Sequence, residues 1–139
     1  MQNEDKGGII ETEWVPTGAG FALGHPLAQH LGAIWLVVAW LTLQTVAAVL
    51  WLADIVLNGR STVLIMVWVL FLILLILNNG FAALTVIGRH PLAWHPVWIS
   101  LILGVPLTLP LVMYWADGLR PNLSYRHRFG RLVRPEANR

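Results

Sequence analysis

Residues 97–116 read Val97-Trp98-Ile99-Ser100-Leu101-Ile102-Leu103-Gly104-Val105-Pro106-Leu107-Thr108-Leu109-Pro110-Leu111-Val112-Met113-Tyr114-Trp115-Ala116, without a single charged residue. Crossing about 30 Å of hydrocarbon at about 1.5 Å per helical residue takes roughly 20 residues. This run is therefore long enough to cross a bilayer. Two upstream runs qualify as well: Leu31 to Leu57, where only Asp54 is ionisable, and Thr62 to Ile87, which carries no charge. Hydrocarbon offers the backbone no hydrogen-bond partner, and the runs lack the alternation of lipid-facing barrel strands, so helices are expected. The pattern predicts an all-α integral membrane protein with three transmembrane helices, over about 31–57, 62–87 and 97–116. Turn residues fill the connections Asn58-Gly59-Arg60-Ser61 and Gly88-Arg89-His90-Pro91. Ser61 or Thr62 is placed to cap the second helix and Gly88 to close it. Asn78-Asn79-Gly80 interrupts the second run, whose alternative reading is a re-entrant segment.

The composition supports the same class. Of 139 residues, 57% are hydrophobic and 12% charged, whereas a soluble domain carries about 25% charged residues. The charges gather at the ends, which divides the chain into three parts. These are a flexible acidic head over 1–24, a transmembrane domain over 25–117 and an arginine-rich tail over 118–139. The head holds Glu4, Asp5, Glu11 and Glu13 against Lys6, the opposite of a cleaved signal's positive start. The tail holds Arg120, Arg126, Arg128, Arg131, Arg134 and Arg139 against Glu136, and such a cluster stays cytoplasmic. Three crossings then place the N-terminus outside, make the first and third helices parallel, and leave Arg60 inside and Arg89 outside. The expected location is the cell (inner) membrane, multi-pass. Basic residues beside an apolar segment point to membrane anchoring and away from nucleic acid. With no cysteine, disulfides and thiolate sites are excluded. On this topology Trp14, Trp35, Trp94 and Trp98 lie toward the outer boundary and Trp51 and Trp115 toward the inner one.

A short repeat stands out. His25-Pro26-Leu27-Ala28-Gln29-His30 precedes the first helix and His90-Pro91-Leu92-Ala93-Trp94-His95 the third. Both helices also end on tryptophan and aspartate, at Trp51 with Asp54 and Trp115 with Asp117. One reading is a recurring helix start, with proline accepted in the first turn. The other is a parallel repeat of the kind found in some transporters. Either reading puts His25, His30, His90 and His95 at one membrane face. Imidazole ligates zinc, copper and haem iron, so these four are the candidate ligands for a metal, haem or chlorophyll-type pigment. The alternative role is interfacial hydrogen bonding.

Gln44, Asn78, Asn79 and Thr108 are the polar residues expected to pack helices against one another, joined by Thr42, Thr45 and Thr85. No ionisable group lies near mid-span, where a substrate pathway would carry one. Pro106 and Pro110 are expected to bend the third helix. Gly80, Ala82, Ala83 and Gly88 give the second helix a smooth surface for close approach. Among the tail arginines, Arg120, Arg126, Arg128, Arg131 and Arg134 are candidates for contact with a partner or lipid headgroups.

The chain shows no nucleophile–base pair, phosphate-cradling loop or dinucleotide fingerprint, so a stand-alone enzyme is disfavoured. The leading expectation is a small accessory or anchor subunit of a multi-subunit membrane complex, such as an energy-transducing respiratory or photosynthetic one. Its partners would be membrane lipids and other membrane subunits. An oligomeric transporter or channel and a histidine-ligated metal or pigment protein are the alternatives.

Overall fold

A computed structural model describes residues 11–59 and 62–133. Among them, two helices are long and apolar enough to cross a membrane. One is α3, Ile34–Leu57, which the preceding α2, Pro26–Gln29, leads into; the other is α4, Val63–Ile87. At about 1.5 Å per residue each exceeds 30 Å. Thr62 caps α4 by accepting the Ile65 N–H on its hydroxyl at 3.4 Å, and Gly88 closes it. The helix runs unbroken through Asn78-Asn79-Gly80, without the interruption on which the re-entrant alternative for the second run rests. Two asparagines and a glycine in mid-helix are tolerated because Asn79 faces a packed seam, where it is fully buried.

The third run departs from expectation. It forms two short helices, α5 over Trp94–Leu103 and α6 over Leu109–Asp117, joined by a turn that contains a cis Val105–Pro106 bond. Trp94 opens α5 and Trp115 lies near the end of α6, yet their rings stack with centroids 5.5 Å apart. One continuous helix over the same residues would separate them by about 30 Å. The run is a helical hairpin, and the expected third crossing helix, parallel to the first throughout, is corrected to this: α5 alone starts from the end where α3 starts, and α6 returns to it. Trp115 therefore sits beside Trp94 and not at the opposite boundary with Trp51, whose neighbour is Trp68 at 5.3 Å.

The two ends of the chain meet. Strand β1, Glu11–Pro16, pairs antiparallel with β2, Arg128–Val133, with Glu13 opposite Arg131 and Trp14 opposite Gly130. The Thr17 amide and hydroxyl both donate to the His127 carbonyl, at 2.7 and 2.9 Å, closing the ribbon. The expected N-out, C-in arrangement keeps these two segments apart, whereas here they lie side by side.

The arginine-rich tail is not a loose extension over its first part. It folds as α7, Leu119–Arg126, in which Pro121, Asn122, Leu123, Ser124 and Tyr125 are all buried. Together with α1, Ala19–Gly24, α2 and the 3-10 turn Pro91–Ala93, it forms a cap over the end where α3 starts and α4 finishes. Ala22, Ala28 and Leu123 make a small core of this cap, and the main core runs from Ile34, Val37 and Leu41 through Ala82, Val86, Val97 and Leu101 to Trp115 and Tyr125.

Candidate functional site

Two features could carry function: a polar node where α3, α4 and α5 meet, and an arginine–aromatic collar in the cap. The node is built from polar side chains that three strongly apolar helices turn toward one another. Gln44 of α3 donates from Nε2 to the Ser100 carbonyl of α5 at 3.1 Å, and its Oε1 accepts from Asn79 Nδ2 of α4 at 3.3 Å. Ser100 Oγ donates to Asn79 Oδ1, which closes a ring of three residues. Asn78 Nδ2 donates to Ser100 Oγ at 2.9 Å and to the Pro96 carbonyl at 3.1 Å. Asn79 and Ser100 are fully buried. Each such bond contributes about 0.6–2 kcal/mol in an apolar setting, so the node clamps α5 to the long pair. Asn78 also edges an apolar groove of about 340 Å³ between α4 and α5, lined by Phe71, Leu74, Leu75, Ile99 and Leu103.

Gln44, Asn78 and Asn79 are thus brought together, and Ser100, a residue without a mark of its own in the sequence, is their common partner. Thr108 lies apart from the node; it is fully buried and ties the hairpin turn by donating to the Leu101 carbonyl. Thr42, Thr45 and Thr85 donate back into their own helices, to the carbonyls of Val38, Leu41 and Phe81, so they need no partner across a seam. Ala82 packs in the main core, whereas Gly80 faces open space.

The collar starts from the repeated His-Pro pair. His25 Nδ1 accepts the Leu27 amide at 3.2 Å and His90 Nδ1 accepts the Leu92 amide at 3.2 Å, both from backbone with ψ 136°. Histidine here does the work usually given to aspartate or serine at a helix start, and proline follows because that position needs no N–H. The repeat is a repeated cap. His25 also packs against the rings of Phe21 and Phe129, at 6.0 and 5.5 Å. His30 and His95 are exposed. Among the described residues no three of His, Cys, Asp or Glu gather in a way that could hold a metal ion.

No family model, curated protein or solved structure matches the chain.

Above the caps stands an aromatic column. The Arg126 guanidinium lies 4.7 Å over the Trp94 ring, Trp94 stacks on Trp115, and Trp115 meets Tyr125 at 5.1 Å. Tyr125 donates to the Val86 carbonyl at 2.9 Å, pinning α7 to the end of α4. Arg89 donates to the Gln29 carbonyl, and the Arg120 guanidinium lies directly on Gly32, whose φ is +51°. Arg128 is exposed, Arg131 lies on β2, and Arg134 falls outside the described residues. The signal for a buried α7 was present in the sequence: Pro121-Asn122-Leu123-Ser124-Tyr125 is an uncharged stretch set between arginines.

Burial pushes the Tyr125 phenol well above the ordinary tyrosine range, with Arg89 pulling weakly the other way. Because the folded value is raised, the stabilisation is complete below the unfolded value of about 10 and is lost as pH climbs beyond it. An ionised Tyr125 has no proton to donate and would be a buried charge. The Tyr125→Phe protein is expected to lose only about 0.5–1.5 kcal/mol at neutral pH, since the Val86 carbonyl keeps the Arg89 amide at 3.1 Å. Tryptophan emission followed during alkaline titration should show the cap opening at a lower pH in wild type than in Tyr125→Phe; identical titrations would contradict this assignment.

Proposed function

We propose that the chain is a small integral membrane protein that serves as an accessory or anchor subunit of a larger membrane complex. In this reading α3 and α4 cross the bilayer, and α5 and α6 insert as a re-entrant hairpin from the side that carries both termini. Helices of 10 and 9 residues reach about 15 Å, half the hydrocarbon thickness. The distribution of basic residues supports the arrangement and its direction. Lys6, Arg89 and all six tail arginines share one side, and Arg60 alone lies on the other. Three crossings would instead have stranded Arg89 and Lys6 outside. By the positive-inside tendency the cap and both termini are cytoplasmic.

The observation that carries the subunit reading is the hairpin tip. Val105 and Leu107 are 50% and 81% exposed on a non-helical turn that this placement sets near mid-bilayer. Irregular backbone persists at that depth only where protein or a water-lined cavity covers it. The described residues leave both side chains open, so in this reading a partner subunit covers the tip. The polar node supports the same role, because its groups bond one another. A transporter is the second reading, favoured by a half-helix that ends beside a polar node.

Gentle detergent extraction from native membranes, native electrophoresis and identification of co-purifying chains tests the proposal. The expected result is migration with larger membrane subunits. Recovery of this chain only as a monomer defeats the subunit reading, and recovery only as a homo-oligomer moves the balance to the transporter.

A further inference from the structure

We propose that the collar binds the headgroup of an anionic phospholipid, with Arg89 and Arg120 as its two cationic arms. Arg89 leaves the end of α4 in left-handed backbone, φ 54°, and turns its guanidinium onto the Gln29 carbonyl. Arg120, in the first turn of α7, reaches the same short connection at Gly32. A Cβ at Gly32 would coincide with its guanidinium, so glycine leaves the space the arm occupies. Gln29 and Gly32 are three positions apart, which keeps their Cα atoms within about 11 Å. Two guanidiniums therefore meet on one connection between α2 and α3.

Their partners there, among the described residues, are neutral. Arg89 meets a backbone carbonyl and Arg120 a glycine, while a guanidinium carries five N–H donors in a planar fork. Most of those donors have no partner among the described residues, and the fork matches the paired oxygens of a phosphodiester. Arg126 and Arg128 stand on the same cap, and the only acid among its described side chains is Asp117. The level is right for a lipid. The connection lies where α3 begins, and Trp35, just below Gly32, is 54% exposed, with Trp94 and Trp98 packed edge to face nearby. Exposed tryptophans mark the headgroup plane, and basic pockets on the cytoplasmic side hold anionic headgroups. The sequence alone separated these two arginines, placing them on opposite sides of the membrane; the fold joins them.

This site rests on the two-crossing placement and not on any partner subunit. The chain purified in detergent and offered equal amounts of phosphatidylglycerol and phosphatidylcholine is examined by native mass spectrometry. Wild type is expected to retain phosphatidylglycerol preferentially. Each of R89Q and R120Q should weaken that preference about fivefold and the double variant about 25-fold, at about 1 kcal/mol per arginine. The preference should persist in R60Q, which removes the same charge from the other end of the long helices. Testing the single variants separately keeps the outcome decisive if the double variant misfolds, as reported by its tryptophan emission. Equal retention of both lipids by wild type overturns the site. So does an equal loss in R60Q, which would mean net charge alone. Wild type that retains both lipids equally defeats the site alone, whereas failure of the two-crossing placement is read separately, from the side on which the termini are labelled.

Discussion

Trp115→Ala is expected to destabilise the protein by about 3–5 kcal/mol, the range for emptying a large aromatic site. Trp115 is fully buried and sits between Trp94 and Tyr125, so it joins the return of the hairpin to its start and to α7 at once. Each aromatic pair adds about 0.5–1.5 kcal/mol beyond its buried area. Its indole N–H has no hydrogen-bond partner among the described residues, which separates size from polarity. Trp115→Phe should therefore retain most of the stability. Thermal unfolding in detergent, followed by far-UV circular dichroism, checks the pair. An alanine variant that melts like wild type would mean the column does not hold the cap.

The second large effect is expected at the hairpin turn. A Cβ at Gly104 would lie 2.6 Å from Thr108 Cγ2, 3.0 Å from Trp40 Cε2, and closer still to Trp40 Cζ2. The Trp40 ring is rigid, and Thr108 is held by its bond to the Leu101 carbonyl, so neither neighbour gives way. Overpacking of this kind costs about 1–3 kcal/mol and more where relief is blocked. Gly104→Leu should thus lift the tip off α3. Amide hydrogen exchange is expected to rise across residues 94–117 while the middle of α4 stays protected. Unchanged exchange in the hairpin would contradict the docking. The same variant tests whether the turn is what partners cover, because its co-purifying chains should fall away together with the protection.

The long helices were legible because their signal is local. Apolar length, a threonine at one end and a glycine at the other specify α4 without reference to anything distant. The polar seam was legible for a related reason: amides at Gln44, Asn78 and Asn79 have nowhere to go in an apolar run except toward one another. The hairpin was not. Pro106 and Pro110 with Gly104 read equally well as a kinked crossing helix and as a turn, and the choice between them is made by Trp40 meeting Gly104 and Trp94 meeting Trp115. Those contacts are tertiary. The ribbon escaped for the same reason, since six-residue strands 110 positions and more apart carry no local mark of their pairing. In the tail, counting arginines hid the uncharged stretch that buries α7. The histidine repeat was seen but is explained by capping, a local role that needs no cofactor.

The two-crossing, re-entrant placement is tested most directly by site-directed labelling, which the cysteine-free sequence makes free of background. Single cysteines at Gly18, Asn58 and Arg128 are exposed to a membrane-impermeant maleimide in intact cells and again after permeabilisation. Gly18 has open space around it and Arg128 is exposed, so both accept the probe. The placement predicts that G18C and R128C react only after permeabilisation and that N58C reacts in intact cells. Labelling of G18C and R128C from opposite sides would restore a third crossing and contradict the account.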